Sequence, residues 1–161
     1  MNIIICGAGK VGFSISKQLS SQGHSVTVID QSTEDVKRIN DTQDVKAIVG
    51  RASLPSVLES AGAENTDMII AVTRNDETNM IVCQLASSLF NISKKIARIR
   101  TKDFLEGKWS KIYNKSNIPI DVIISPEKEV AKSLFRRLEA PGALDNVPFV
   151  NNKVKMLEIA I

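Results

Sequence analysis

Aromatic residues make up only 4% of the 161 residues, and histidine occurs once, at position 24. So few rings leave little on which single-stranded nucleic acid could stack. One imidazole cannot by itself assemble a His-based metal site or a catalytic triad within one chain. Cysteine is also scarce: Cys6 and Cys83 lie far apart and form no Cys-x-x-Cys, so metal and redox readings lack their spacing. Their apolar neighbours Ile5 and Val82 suit buried, reduced thiols. Charge of one sign is missing too, because 21 Lys+Arg and 18 Asp+Glu leave a net +3 and are interspersed along the chain. No electrostatic footprint for nucleic acid results, and none is expected as a partner. No apolar run approaches the roughly 18 residues that span a bilayer, and no basic segment precedes the first strand-like run. The expectation is a soluble chain that is not exported.

What is present is a 43% hydrophobic composition, enough for one core in a chain of this size. Short β-branched runs at residues 3–6, 26–29, 47–49, 68–72, 96–99 and 120–124 read as buried parallel strands. Helical patterns lie between them. Val11, Ile15 and Leu19 recur at i, i+4, i+8, as do Ile81, Leu85 and Leu89, which predicts one apolar stripe against a sheet in each helix. Strand-helix alternation with right-handed crossovers gives a Rossmann-type α/β fold, a doubly wound parallel sheet. Ser53 is a candidate cap for the helix through Val57 and Leu58, and Gly62 can end that helix in a left-handed conformation.

Ser125-Pro126-Glu127 combines a capping hydroxyl, a first-turn proline and a carboxylate at the positive helix end. The helix it starts carries Val130, Leu134 and Leu138 on one face and stops at Ala140-Pro141-Gly142. Residues 145–152 read as a loop, and 154–161 alternate as a strand does. The expected organisation is a nucleotide-binding domain over 1–124, a C-terminal crossover helix and Pro-Gly break over 125–143, and a linker with the start of a further strand over 144–161. A lone terminal strand needs a neighbour, so a longer protein or a strand given to a partner chain is expected.

Gly7-Ala8-Gly9-Lys10-Val11-Gly12 is G-x-G-x-x-G, directly after the first strand and opening the first helix. Gly7 permits the tight turn, Gly9 lets backbone approach a diphosphate, and Gly12 lets the helix close on the strand. The helix N-terminus supplies N–H donors and positive potential. Asp30 closes the second strand about twenty residues later, where a carboxylate accepts hydrogen bonds from ribose hydroxyls. A 2′-phosphate would meet that carboxylate as a like charge, so NAD(H) is the first choice and NADP is disfavoured. Gly50-Arg51-Ala52-Ser53 and Thr73-Arg74-Asn75-Asp76 fall at the carboxyl edge of the sheet, where Gly50 and Ala52 can lie under an adenine and Thr73 can reach a phosphate or ribose. Arg98 and Arg100 share one face of the fifth strand and suit a phosphate tail or an acidic surface.

Those segments, with Thr73-Arg74-Asn75-Asp76-Glu77-Thr78-Asn79, Ser125-Pro126-Glu127 and Pro141-Gly142-Ala143, make the chain resemble the N-terminal nucleotide-binding domain of the Trk potassium-uptake regulators, the regulator-of-potassium-conductance fold. The glycine loop is generic, whereas Thr-x-x-Asp-Glu-x-Asn with the later Ser-Pro-Glu is far more specific. The resemblance implies nucleotide contacts from Gly7 to Val11, Asp30, Thr73, Arg74 and Arg98, with Lys10 reaching terminal phosphates across a subunit contact and Arg100 a weaker candidate. Where the family usually shows Gly-Asp-Ala, this chain has Gly50-Arg51-Ala52, a cation in place of an acid that leans the site toward a more anionic ligand. It further implies a non-catalytic cytoplasmic regulator, binding NAD(H) or alternatively ATP or ADP. Dimers assembling to a ring would sit on the inner face of the membrane, against a potassium-translocating subunit of TrkH type. The competing reading is a small NAD-dependent oxidoreductase of the tetrapyrrole-precursor dehydrogenase type. It needs an acid or base, and His24 lies at the wrong end of the sheet, while Lys10 and Asp76 have no evident partner in sequence. A nucleotide hydrolase would need a Gly-Lys-Ser/Thr loop that is absent.

Overall fold

Ile3, Ile4, Ile5 and Cys6 are all buried, because β1 (Asn2–Cys6) lies inside a sheet covered on both faces. The structure is a computed structural model that describes residues 1–139, 143–149 and 154–159. The chain divides into two compact units, Met1–Ile124 and Ser125–Ile161.

In the first unit β1 is followed by α1 (Lys10–Ser21), β2 (Ser25–Asp30), α2 (Thr33–Thr42), β3 (Lys46–Val49), α3 (Pro55–Ser60), β4 (Met68–Ala71), α4 (Asp76–Ser88), β5 (Lys94–Arg98), α5 (Lys102–Leu105) and β6 (Val122–Ile124). The six strands are all parallel in the order β3-β2-β1-β4-β5-β6. Strand order reverses between β1 and β4, and a crevice opens outside the carboxyl ends of strands at such a point. Apolar residues fill both faces: Ile3, Ile5, Val26, Val28, Ile39 and Ile70 on one, Ile4, Cys6, Ile29, Leu58, Ile69 and Val82 on the other.

One helix keeps its expected apolar stripe against the sheet and one departs from it. In α1 the residues at the contact line are Gly12 and Ser16, both buried, while Val11, Ile15 and Leu19 pack as partly buried flanks. Small residues there let the helix axis come close. In α4 the buried face is Asp76, Asn79, Met80, Val82, Cys83 and Ala86, and of the expected Ile81, Leu85 and Leu89 stripe only Leu85 packs against the core. Ile81 and Leu89 are 48% and 54% exposed. This helix is apolar over most of its circumference, so spacing alone does not choose a face, and the hydrogen bonds of Asp76 and Asn79 turn it.

Ser53 does not cap α3. The capping position is Leu54, with Pro55 in the first turn, where its missing N–H costs nothing. Gly62 follows the end of α3 in the left-handed conformation, φ 91°, as expected.

The second unit holds α6 (Pro126–Glu139) and the antiparallel pair β7 (Ala143–Phe149) and β8 (Val154–Ile159). The expected loop from residue 145 is therefore strand as far as Phe149, and β8 has a hairpin partner within the chain. Pairing with β8 overrides the weak strand preference of Asp145, Asn146 and Pro148. Val130, Leu134 and Leu138 of α6 are exposed. The expected Ala140-Pro141-Gly142 break lies outside the described residues.

Candidate functional site

The glycine loop turns from β1 into α1 at the point of strand reversal. Gly7 has φ 115°, and a Cβ there would stand 3.0 Å from backbone atoms of Val72 and Thr73. Only glycine lets this turn lie against the segment leaving β4. A Cβ on Gly12 would be 1.8 Å from the Gly7 carbonyl oxygen, so Gly12 sets the approach of helix to strand. A Cβ on Gly9 would meet nothing within 4 Å. Gly9 is the N-cap of α1, without a side-chain cap, and its backbone faces open space. The first turn of α1 carries no acidic residue and begins with exposed Lys10. By contrast α2 has Glu34 and Asp35, and α4 has Asp76 and Glu77, in the first turn. An added cation at the positive end of a helix is stabilised by an anion.

Ala8, fully buried, is held by two side chains of opposite charge. Its N–H donates to Asp30 Oδ2 at 2.6 Å, and its carbonyl accepts from Arg38 Nη2 at 3.0 Å. Asp30 Oδ1 accepts from the Ser32 N–H at 2.9 Å. The carboxylate assigned to ribose thus also anchors the glycine loop. The Gly50 N–H donates to the Asp30 carbonyl at 2.8 Å, which brings the loop after β3 beside the end of β2. There Arg51 is exposed and Ala52 is buried in the core among Leu58 and Ala61, while a Cβ on Gly50 would be 2.8 Å from Val57 Cγ1. Gly50 and Ala52 therefore serve the packing of α3, whereas Arg51 faces solvent.

The segment after β4 is organised by Asn79, which is fully buried. Its Oδ1 accepts from the Thr73 N–H at 2.9 Å and from Thr73 Oγ1 at 2.7 Å, and its Nδ2 donates to the Arg98 carbonyl at 2.8 Å. Asp76 Oδ2 accepts from the N–H groups of Arg100 and Thr101 at 2.9 and 2.8 Å. Burial opposes ionisation of Asp76, but the hydrogen bonds from Thr101 and Arg100, with the Arg100 charge, hold it below the usual carboxylate range. The Thr-x-x-Asp-Glu-x-Asn pattern is thereby explained: its Asp and Asn tie the β4–α4 turn to the end of β5. Arg74 is exposed beside them.

Arg98 and Arg100 are also occupied locally. Arg98 Nη2 donates to the Thr73 carbonyl at 2.7 Å, and Arg100 Nη2 donates to the Arg74 carbonyl. β5 ends at Arg98, so Arg100 lies beyond it rather than on it, although fully buried Ile99 keeps the expected opposite side. Both arginines border the site as braces of the β4–α4 turn.

The structure brings Gly7, Ala8, Gly9, Lys10, Asp30, Thr73 and Arg98 to the carboxyl edge around the strand reversal. Arg38 is the residue that sequence reasoning missed. It sits eight positions after Asp30 on the polar stretch of α2, and no motif marks it. Cys6 and Cys83 are fully buried. Burial pushes the Cys83 thiol up to about 12, with Lys95 pulling down and Asp121 pushing up, and raises Cys6 as well. Among the described residues no group of three or more His, Cys, Asp or Glu could hold a metal, and no helix is long and apolar enough to cross a membrane.

The family model described as the TrkA-N domain matches residues 3–126. The Trk system potassium uptake protein TrkA of Azorhizobium caulinodans is 46% identical over 154 residues, 96% of this chain and 34% of that protein. Its counterpart from Haemophilus influenzae is 39% identical over 159 residues, 99% of this chain and 34% of that protein. The chain thus spans about a third of the length of the curated relatives it matches. Among solved structures, the TrkA-N domain of the inner membrane protein YbaL from Escherichia coli matches with a TM-score of 0.73 at 18% identity, covering 85% of this chain and 96% of that one. The GsuK channel bound to NAD matches at 0.69 and 15% identity, covering 93% and 25%. The AMP-bound Kef C-terminal domain of Shewanella denitrificans matches at 0.69 and 19% identity, covering 86% and 80%. At these identities the solved structures establish the fold.

Proposed function

The chain belongs to the TrkA-N domain family, and from that premise we propose that it is a non-catalytic sensor of adenine nucleotides, NAD(H) first and ATP or ADP as alternatives, in the regulatory subunit of a potassium-uptake system. The observation that carries the reading is the start of α1. Open backbone at Gly9, Lys10 in the first turn and no acidic residue in that turn make an anion cradle, while the Asp30 carboxylate at the end of the adjacent strand is taken up by the Ala8 and Ser32 N–H groups. The similarity to Trk system potassium uptake proteins, and the NAD bound by the GsuK channel and AMP bound by the Kef C-terminal domain, support the same choice. Gly7 to Gly12 and Asp30 would take the diphosphate and ribose, Thr73 and Arg74 the opposite wall, and Arg51 an extra negative charge.

The partner in this reading is a membrane potassium-translocating subunit of TrkH type, approached from the cytoplasmic side by a ring of dimers. A nucleotide moves such a ring only by binding one of its shapes better than another, and about 1–3 kcal/mol is a typical coupling. Asp76, a buried acid beneath the β4–α4 turn, is held ionised by backbone donors and so has a structural task rather than that of a proton donor. Calorimetric titration with NADH, NAD, ATP and ADP, with light scattering to follow assembly, tests the proposal. Saturable binding with a change in assembly and no turnover is expected; no binding by any of the four overturns it.

A further inference from the structure

The two-sided hold on Ala8 has a consequence for a residue on a different element. Across a trans peptide the carbonyl of one residue and the N–H of the next point in opposite directions. The Ala8 carbonyl and the Gly9 N–H belong to one such plane. Arg38, reaching from α2, holds that carbonyl at 3.0 Å, and Asp30 holds the N–H of the preceding plane at 2.6 Å. The peptide leading into the helix N-cap is thus prevented from rotating, and its N–H is aimed away from Arg38. Among the described residues no other hydrogen bond holds that plane: a glycine follows it, and a Cβ at Gly9 would meet no atom within 4 Å.

Arg38 is itself held in place. Its Nη2 is 2.9 Å from Asp35 Oδ1, one turn earlier on α2, and its guanidinium lies 4.9 Å from the centre of the Phe13 ring on α1. These contacts set the fork between α1 and α2. The side chain is 46% exposed, so its removal leaves no buried charge and little cavity.

We propose that Arg38 is a positioning residue for the nucleotide site: it orients the Ala8–Gly9 peptide so that the loop's N–H donors converge on the ligand phosphate. The inference rests on the nucleotide reading above. It assigns Arg38 no contact with the ligand, and its effect therefore runs through geometry rather than through charge on the nucleotide.

The test is calorimetry of the full chain with ADP and NADH, on the unchanged protein and on Arg38→Ala and Arg38→Lys, at low and at moderate salt. Arg38→Ala is expected to lose about tenfold in affinity for both ligands, the scale of one hydrogen bond to a charged group. Arg38→Lys, which can still donate to the carbonyl, is expected to recover part of that loss. The ratio between unchanged protein and Arg38→Ala is expected to stay constant with salt, because screening acts on ligand charge and not on peptide orientation. Equal affinity of Arg38→Ala and the unchanged protein overturns the proposal. So does a ratio that shrinks as salt rises, which means that the charge of Arg38 acting on the nucleotide, and not the orientation of the peptide, carries the effect. Failure of the unchanged protein to bind either ligand overturns the nucleotide reading and this inference with it, and is told apart because it needs no variant.

Discussion

Asn79 grips Thr73 twice, taking hydrogen bonds from its backbone N–H at 2.9 Å and its hydroxyl at 2.7 Å, while giving one to the carbonyl of Arg98 at 2.8 Å. A fully buried amide with these partners joins the carboxyl ends of β4 and β5. Asn79→Leu keeps much of the volume but leaves the Thr73 N–H without that acceptor and the Arg98 carbonyl without that donor. A loss of roughly 2 kcal/mol in folding stability is expected, measured by urea unfolding. A change below about 0.5 kcal/mol, the usual range of an inert surface substitution, would show that the link is dispensable.

Two glycines of the same loop are expected to separate stability from binding. Gly12→Ala places a Cβ 1.8 Å from the Gly7 carbonyl oxygen, so the helix must move off the strand, and a loss of roughly 3 kcal/mol or more is expected. Gly9→Ala meets no atom at an ordinary φ of −63° and is expected to fold normally. Its methyl group would nonetheless occupy the open side of the loop, so nucleotide affinity should fall sharply. Thermal melting and calorimetry on the two variants separate these outcomes; unimpaired nucleotide binding by Gly9→Ala would move the ligand elsewhere.

Asp30 is expected to act in both roles at once. Asp30→Ala removes a ribose acceptor and the partner of the Ala8 and Ser32 N–H groups. Affinity for NAD(H) should drop by more than tenfold, on the scale of one or more charged hydrogen bonds, with a measurable loss of stability. Unchanged affinity would remove Asp30 from the site.

Asp76 predicts an acid limb in stability. Its folded-state value is held below the ordinary 3.8, so the stability it contributes is complete above the unfolded-state value and is lost as pH falls through the folded-state value. Asp76→Asn should be less stable than the unchanged chain at neutral pH, with the gap narrowing only below 3.8. Urea unfolding across this range checks it, and a gap independent of pH would contradict the ionised role.

The thiols should be silent. With Cys6 and Cys83 fully buried and the Cys83 thiol pushed up to about 12, neither is expected to react with a thiol reagent at neutral pH until the chain unfolds. Labelling timed against unfolding reads this directly.

Much of the fold was legible in the residues because it depends on local pattern. Six β-branched runs, a glycine loop placed between strand and helix, and Asp30 at the next strand end have few foldings in common beyond a parallel, doubly wound sheet. The errors fall where local pattern is ambiguous. Ile81, Leu85 and Leu89 have perfect helical spacing, yet α4 has apolar residues on its other side as well, and Asp76 and Asn79 settle its rotation through partners nineteen or more positions away, at and just past the end of β5. The strand at Ala143–Phe149 carries Asp, Asn and Pro, and becomes visible only through its pairing with β8.

The sequence by itself determined the chain's family, its sheet, and the loop that opens α1, since each is written in contiguous residues whose spacing sets backbone conformation. Only the tertiary structure decided what the charged side chains do. Arg98 and Arg100 brace the turn after β4, Asp30 anchors the loop it was expected to border, and Arg38, marked by no motif, holds the Ala8 carbonyl from another helix. A long polar side chain has many partners within reach, and which one it takes is settled by how the elements pack, not by its place in the sequence.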